Sequence, residues 1–139
     1  MSEEKAARYG EIANREIRGI VGMKWKTEAL AADPLFDFSN CSRIICLHME
    51  ESDSDGVDMH VEFAYSSEHQ RGRMKFRFVS VSRVEMRFSD SLLFTPDFFV
   101  SYDESVPEYC AFDELSHCVR WFSKDIQFVG FEPGDVKLI

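Results

Sequence analysis

Residues 51–62, ESDSDGVDMHVE, form the stretch whose residue types and spacing point most directly to chemistry. Aligned with the twelve-residue EF-hand calcium loop, it has oxygen-bearing side chains at loop positions 1, 3 and 5, glycine at position 6 and glutamate at position 12. Both flanks, however, alternate apolar and polar residues with period two, which predicts strands instead of the helices that such a loop joins. Glu62 then lies on the polar face of a strand. We therefore predict a hairpin turn at Asp55–Gly56 and no metal or cofactor, with a calcium loop inside a hairpin as the alternative.

Residues 74–81, MKFRFVSV, resemble the RNP1 strand of RNA-recognition motifs, because Phe76 and Phe78 fall at its aromatic positions. Lys75 and Arg77, however, replace the glycines of that motif. Antiparallel pairing in which the residue numbers sum to 137 explains the same residues, since it joins opposite charges on one face and apolar groups on the other. The predicted pairs are Glu62 with Lys75, His60 with Arg77, Phe63 with Met74, and Val61 with Phe76. We therefore predict core phenylalanines and no binding of nucleic acid.

Residues that could serve an enzyme are sparse and scattered along the chain. The sequence has no nucleophile elbow, phosphate-binding loop, dinucleotide fingerprint or His-Glu-x-x-His zinc motif. Glu50 could approach His60, or His48 could approach Asp58, and a His–acid pair across two strands is more often an ion pair than a catalytic dyad. The cysteines lack the Cys-x-x-Cys spacing of zinc sites, which predicts free thiols at Cys41, Cys46, Cys110 and Cys118. The sequence thus predicts no catalytic residue and no enzymatic activity.

The elements that must position these residues form a single predicted domain, 1–139. Apolar residues recur at helical spacing over residues 3–21, which predicts an N-terminal helix within segment 1–22. Segment 23–41 is a predicted connector, in which Thr27–Ala32 could form one or two helical turns before Asp33–Pro34 stops them. The remaining residues, 42–139, have a period near two and form a predicted β-rich body.

Within that body the sequence predicts six or seven strands. The alternation changes phase between Val79 and Val81, which predicts a bulge or bend. Pro96 interrupts the apolar run 94–102, so that run is predicted to be an edge strand or to begin after the proline. Residues 105–115 are polar and irregular, and residues 118–131 predict a terminal hairpin with its turn at Ser123–Lys124. The predicted fold class is α+β: the N-terminal helix packs on a mostly antiparallel, meander-connected, curved sheet.

Charge limits the classes of partner. The net charge is −9, from 25 acids and 16 bases, which opposes binding to nucleic acid and to anionic membranes and favours basic partners. Segment 71–87 nevertheless holds six bases and only one acid. The acids are concentrated elsewhere, in residues 50–58 and 97–114. The charged N-terminus has no signal-peptide pattern, and no apolar run is long enough for a membrane helix. We expect a soluble, cytoplasmic protein.

An acidic, single-domain chain with a meander sheet and no catalytic motif resembles the small immunity proteins of bacterial polymorphic and contact-dependent toxin systems. The resemblance implies a non-enzymatic inhibitor that binds and neutralises a cognate, often basic, toxin domain. The residues available for partner binding would be the acids Glu50, Glu51, Asp53, Asp55, Asp58, Asp103, Glu104 and Glu108, with Tyr102 and Tyr109 as aromatic anchors. Two alternatives remain open: a small-ligand-binding protein or enzyme with its site inside the curved sheet, lined by Trp121, and a homo-oligomer that uses Trp121 and Phe122.

Overall fold

The computed structural model describes residues 24–52, 56–88 and 93–134. The helix predicted for residues 3–21 lies outside these ranges. The described elements are helix α1 (Lys24–Ala32), a 3-10 helix (Phe38–Asn40), and strands β1 (Cys41–Glu51), β2 (Val57–Ser66), β3 (Arg71–Met86), β4 (Leu93–Phe94), β5 (Phe98–Asp103), β6 (Glu108–Asp113) and β7 (Val119–Pro133).

The predicted α+β class is wrong. Strands make up 63% of the described residues, and the one α-helix among them is the nine-residue α1. The described part of the chain is therefore mostly antiparallel β structure, and the short helix only supplements a core made by the sheet. The predicted meander is confirmed. The seven strands lie in the order β4-β1-β2-β3-β7-β6-β5, and within β1–β2–β3 and within β5–β6–β7 each strand pairs with the next strand in the sequence.

The sheet curls into a half-barrel. Strands β4 and β5 stand at opposite ends of the strand order, yet only residues 95–97 separate them in the chain. The two ends of the sheet must therefore approach each other. Thr95 makes the junction: its hydroxyl donates a hydrogen bond to the Cys41 carbonyl at 2.6 Å, and its amide donates to the Ser42 carbonyl at 2.9 Å.

Aromatic rings fill the inner face of the curled sheet. Phe63, Phe78, Phe98 and Trp121 have no exposed surface, and Phe76 is 1% exposed. The ring centroids of Phe63 and Phe98, from strands in different halves of the sheet, lie 5.0 Å apart. The burial of Phe76 and Phe78 confirms that they belong to the core, as the cross-strand argument predicted.

Helix α1 and the 3-10 helix cover part of this inner face. The Trp25 ring meets Phe76 edge-on with the centroids 6.2 Å apart, and the Phe38 ring lies 4.9 Å from Phe76. The prediction of helical turns at Thr27–Ala32 is confirmed, since α1 ends at Ala32 immediately before Asp33–Pro34.

The predicted register between β2 and β3 is confirmed in all four pairs, from Glu62 opposite Lys75 to Val61 opposite Phe76. The phase change at Val79–Val81 is also confirmed as a bulge. Met59 pairs with Phe78 and Val57 pairs with Val81, which leaves Val79 and Ser80 opposite the single residue Asp58. Ser80 takes a left-handed backbone conformation, with φ of 51°.

Two predicted features of the C-terminal part are wrong, and one is confirmed. Residues 119–133 form one continuous strand, so there is no hairpin turn at Ser123–Lys124; Ser123 instead pairs with Val81 on one side and Tyr109 on the other. The irregular segment 105–115 contains strand β6. The edge position after Pro96 is confirmed, because β5 begins at Phe98 and ends the sheet.

Candidate functional site

One transverse row of residues crosses six strands and joins the two acidic segments singled out from the sequence. The row consists of Glu51, Val57, Val81, Ser123, Tyr109 and Tyr102, each paired with the next. Five strand steps separate Glu51 on β1 from Tyr102 on β5, which at roughly 4.8 Å per step corresponds to about 24 Å along the curved sheet. The acidic end of the β1–β2 hairpin and that of the β5–β6 hairpin therefore stand at the two ends of one row.

At the β1–β2 end, the Glu50 carboxylate forms a side-chain hydrogen bond with the His60 imidazole. The Glu50 Oε1 and His60 Nε2 atoms are 2.7 Å apart, and both side chains are partly exposed. The hydrogen bond from His60 lowers the pKa of Glu50. His48 lies beside them, with its ring centroid 6.0 Å from that of His60. Glu51 is exposed as well, while Asp53 and Asp55 lie outside the described residues.

Asp58, the last acid of this end, is completely buried. Arg77 donates to its Oδ2 through both Nε, at 2.9 Å, and Nη2, and the Ser80 amide donates to Oδ1 at 2.9 Å. Burial alone would raise the pKa of Asp58, but the bonds from the Ser80 amide and from Arg77 outweigh it and lower the pKa. Asp58 therefore holds the bulge of β3 and is inaccessible to a partner.

At the β5–β6 end, two of the three acids are engaged within the protein. Asp103 accepts hydrogen bonds from the Ser105 hydroxyl at 2.6 Å and the Ser105 amide at 3.0 Å, which lower its pKa and close the turn. Glu108 Oε1 lies 2.5 Å from Arg83 Nη2. Glu104 is exposed in the same turn. Of the three acids, Glu104 is therefore the one that a partner could contact most directly.

The two tyrosines of this end differ in exposure. Tyr109 is 3% exposed and accepts a hydrogen bond from Trp25 Nε1 at 3.4 Å. Tyr102 is 37% exposed, and its ring centroid lies 4.7 Å from that of Tyr109. Buried Tyr109 thus packs against the ring of Tyr102, and Tyr102 is the ring that a partner could contact.

Exposed apolar side chains accompany the acids at both ends. Met49 is 43% and Val57 37% exposed beside Glu51, and Val106 is 53% exposed beside Glu104. Sequence reasoning did not select these three residues, although the period-two pattern places Met49 and Val57 on the apolar face of their strands. Acids that surround exposed apolar groups can bind a basic surface, because the apolar groups supply area and the acids supply orientation.

A buried carboxylate beside a serine and a histidine was also missed from the sequence. Asp33 has no exposed surface and accepts hydrogen bonds from Tyr65 at 2.6 Å and Ser67 at 2.7 Å. The Ser67 hydroxyl also accepts from the amides of His69 and Gln70. Ser67 donates to the Asp33 carboxylate, and His69 Nδ1 lies 3.7 Å from Asp33 Oδ1, so the cluster links the end of α1 to the β2–β3 turn.

The cysteines form no disulfide, and three of them have a raised pKa. All four are free thiols, and Cys41 and Cys118 are buried. Burial raises the pKa of Cys41, Cys46 and Cys110, which keeps their thiols protonated. The described residues also contain no group of three or more His, Cys, Asp or Glu side chains that could hold a metal ion.

The inner face, considered from the sequence as an interior ligand site, is packed with rings around Trp121. The indole lies 5.1 Å from the Phe78 ring and 5.7 Å from the Phe98 ring, centroid to centroid. Trp121 Nε1 and Ser123 Oγ are buried and have no hydrogen-bond partner among the described residues. Trp121 is also unavailable for contacts between copies of the chain, and Arg83 covers the ring of Phe122 at 3.7 Å.

Comparison of the chain with protein-family models, with curated proteins and with solved structures finds no significant match. In the part of the chain that the structure describes, no helix has the length and apolar character needed to cross a membrane.

Proposed function

We propose that this protein is a non-enzymatic binding protein, an immunity protein that binds and neutralises a cognate basic toxin domain in the cytoplasm. The observation that carries the proposal is the pairing of exposed acids with exposed apolar side chains at both ends of one row. Glu51 accompanies Met49 and Val57 at one end, and Glu104 accompanies Tyr102 and Val106 at the other.

The spacing of the two ends suits a protein partner. An interface of ordinary size buries about 800 Å² on each side, and a path of about 24 Å along the curved sheet between the ends fits within such a patch. Tyr102, supported by buried Tyr109, has the properties of an anchoring side chain, since a fixed aromatic ring loses little conformational freedom on binding. The acids, together with the net charge of −9, would steer a basic partner toward this surface.

The acids selected from the sequence divide into two groups under this proposal. Glu51 and Glu104 would contact the partner directly. Asp58 and Glu108 would act indirectly, since they fix strands through Arg77 and Arg83. Removing an acid of the second group would therefore disturb the fold as well as binding, and the first group gives the cleaner test.

The test is affinity capture from the native host, with mass spectrometry and then reconstitution of the complex. Wild type is compared with the double variant Glu51→Gln/Glu104→Gln and with the control Glu28→Gln/Glu68→Gln, which makes the same change of charge at exposed residues outside the two acidic segments. We expect a basic protein bound in a 1:1 complex, with affinity about tenfold weaker in the first double variant and unchanged in the control.

Co-expression supplies the functional readout. The captured basic protein should slow growth when expressed alone, and the wild-type protein should restore growth. The proposal is wrong if no basic protein is enriched over control beads, or if the captured protein binds both double variants with the wild-type affinity.

A further inference from the structure

We propose that strand β5 binds an extended segment of a partner by strand addition, and that this segment carries basic residues about six positions apart. The basic character of the segment rests on the proposed function. The strand addition itself rests on the sheet edge alone.

Strand β5 is a free edge of the sheet. It ends the strand order, and in the part of the chain that the structure describes it pairs only with β6, from Phe98–Asp113 to Asp103–Glu108. Phe99 is 40% and Tyr102 37% exposed, and Ser101 between them is exposed as well. An edge strand presents unpaired backbone N–H and C=O groups, which can pair with another chain.

The opposite edge of the sheet carries features that discourage such pairing. Strand β4 has two residues and covers only Arg43 and Ile44 of β1. Beyond it, β1 has an irregularity between Ile44 and Cys46 and two exposed acids, Glu50 and Glu51. Short strands, bulges and edge charges are the usual means of blocking an edge. Strand β5 has six residues, without a bulge or a charge from Phe98 to Tyr102, so among the described strands it is the edge that remains open to a partner.

Side chains on both faces of β5 could hold an added strand. Phe99 lies on the outer face, with its ring centroid 6.0 Å from that of Phe112. Tyr102 lies on the inner face against Tyr109. Because successive side chains of an added strand also alternate between the faces, each face offers an aromatic contact to every second residue of the partner.

Charges at the two ends of β5 decide which occupant fits. Exposed Asp97 precedes the strand, Asp103 is its last residue, and Glu104 follows it. At about 3.4 Å per residue, six residues separate the acidic ends by roughly 20 Å. A second copy of β5, paired antiparallel, would bring Asp97 of one copy toward Asp103 and Glu104 of the other at both ends, and like charges there repel. A segment with an uncharged centre and a basic residue at each end meets opposite charge instead.

The probe is the peptide acetyl-Lys-Val-Thr-Val-Thr-Val-Lys-amide, whose lysines are six positions apart. Its control has the same sequence with the amides of alternate residues methylated, which keeps the charges and removes backbone donors. Hydrogen exchange of the whole protein is followed amide by amide. We expect amides of β5 to exchange about tenfold more slowly with the probe and at the free-protein rate with the methylated peptide.

Protein variants test the charges. Asp97→Asn/Glu104→Gln should weaken binding of the probe about tenfold, while Glu28→Gln/Glu68→Gln, at exposed residues away from β5, should leave it unchanged. The inference is overturned if the probe does not bind, if methylation leaves its affinity unchanged, or if protection appears away from β5.

The captured partner separates this inference from the proposed function. If a basic partner is captured and β5 amides in its complex exchange as in the free protein, strand addition is wrong and the proposed function stands. If the probe adds to β5 and no basic partner is captured, strand addition stands and the proposed function is wrong.

Discussion

The carboxylate of Asp58 fixes the position where β3 changes phase. Val79 and Ser80 stand opposite this one residue, and Asp58 accepts the Ser80 amide while it also binds Arg77. A bulge leaves backbone groups without ladder partners, so a buried acceptor at that point stabilises it. Sequence spacing identified Asp58 as an acid of a surface hairpin, because the pattern gives the face of a strand only where the alternation is regular.

Asp58→Asn should strongly destabilise the protein. The substitution keeps the size of the side chain but leaves the charge of Arg77 without its partner, and breaking such a pair at a buried position costs about 3 kcal/mol. Urea unfolding at neutral pH measures the loss. Glu62→Gln is the control, since Glu62 lies 3.8 Å from Lys75 and 3.9 Å from Arg73 on the partly exposed outer face and should cost less than about 1 kcal/mol. Equal losses in the two variants would contradict this account.

Asp33 should make stability depend on pH in the acid range. Burial alone would raise the pKa of Asp33, but hydrogen bonds from Tyr65, Ser67 and the Leu35 amide outweigh it and lower the pKa. The unfolded chain therefore binds more protons than the folded one in acid. The stabilisation is fully present above the ordinary aspartate pKa of about 3.9 and is lost as the pH falls through the folded pKa.

The measurement is the free energy of unfolding as a function of pH, from about 6 down to about 2.5. Asp33→Asn should lower stability near neutral pH and flatten the acid slope. Asp125→Asn is the matched comparison, because burial raises the pKa of Asp125 and the slope should then be retained or become steeper. A slope unchanged by Asp33→Asn would show that other carboxylates produce the acid sensitivity.

At the scale of elements, the sequence predicts strand pairing well where charges alternate with apolar groups. The register of β2 with β3 follows from opposite charges such as Glu62 and Lys75, because a shift by one residue would bring these charges to the apolar face. The sequence predicts strand β7 poorly. Ser123–Lys124 resembles a turn, but Ser123 is buried and pairs with strands on both sides. Local composition does not distinguish a turn from a bend in a long strand.

Strand β6 and the two ends of the candidate site were less accessible to sequence reasoning for a related reason. Tyr109, Ala111 and Asp113 alternate inward within a polar segment, and Asp113 is buried because it accepts the Ser116 and Val119 amides. A buried acid interrupts the apolar pattern by which a strand is identified. The acids of the site were found from charge, but their placement along one row depends on the pairing of six strands.

Gly72 should be the least replaceable position in the contact between β3 and β7. A Cβ added there would lie 2.1 Å from the Glu132 carbonyl oxygen and 2.8 Å from the Pro133 Cα, both backbone atoms that cannot rotate away. Gly72→Ala should therefore separate the strand ends and destabilise the protein by about 2 kcal/mol or more. Gly130→Ala is the control, since a Cβ there meets nothing within 4 Å. Thermal unfolding should separate the two variants, and similar melting temperatures would contradict the close approach.

At the scale of the whole molecule, closure of the curl depends on contacts that sequence periodicity does not encode. The strand pattern predicts a curved meander but gives no indication that the chain passes from β4 to β5 across the ends of the sheet. Three residues make that passage, and Thr95 holds it by two hydrogen bonds to β1. Since β5 begins at Phe98, whose ring packs on Phe63, the same passage positions the free edge proposed for strand addition.

Thr95→Val should loosen this closure without changing the shape of the side chain. The variant keeps the amide bond to Ser42 but leaves the Cys41 carbonyl without the hydroxyl donor, and an unsatisfied buried acceptor costs about 1–3 kcal/mol. The loss of stability should be accompanied by faster hydrogen exchange in β4 and β5, while amides in the central strands β2 and β3 change only with global stability. Thr27→Val, on the exposed side of α1, is the control. If Thr95→Val destabilises the protein and exchange in β4 and β5 rises no more than elsewhere, Thr95 contributes to overall stability and the ends of the sheet are held together by the aromatic core.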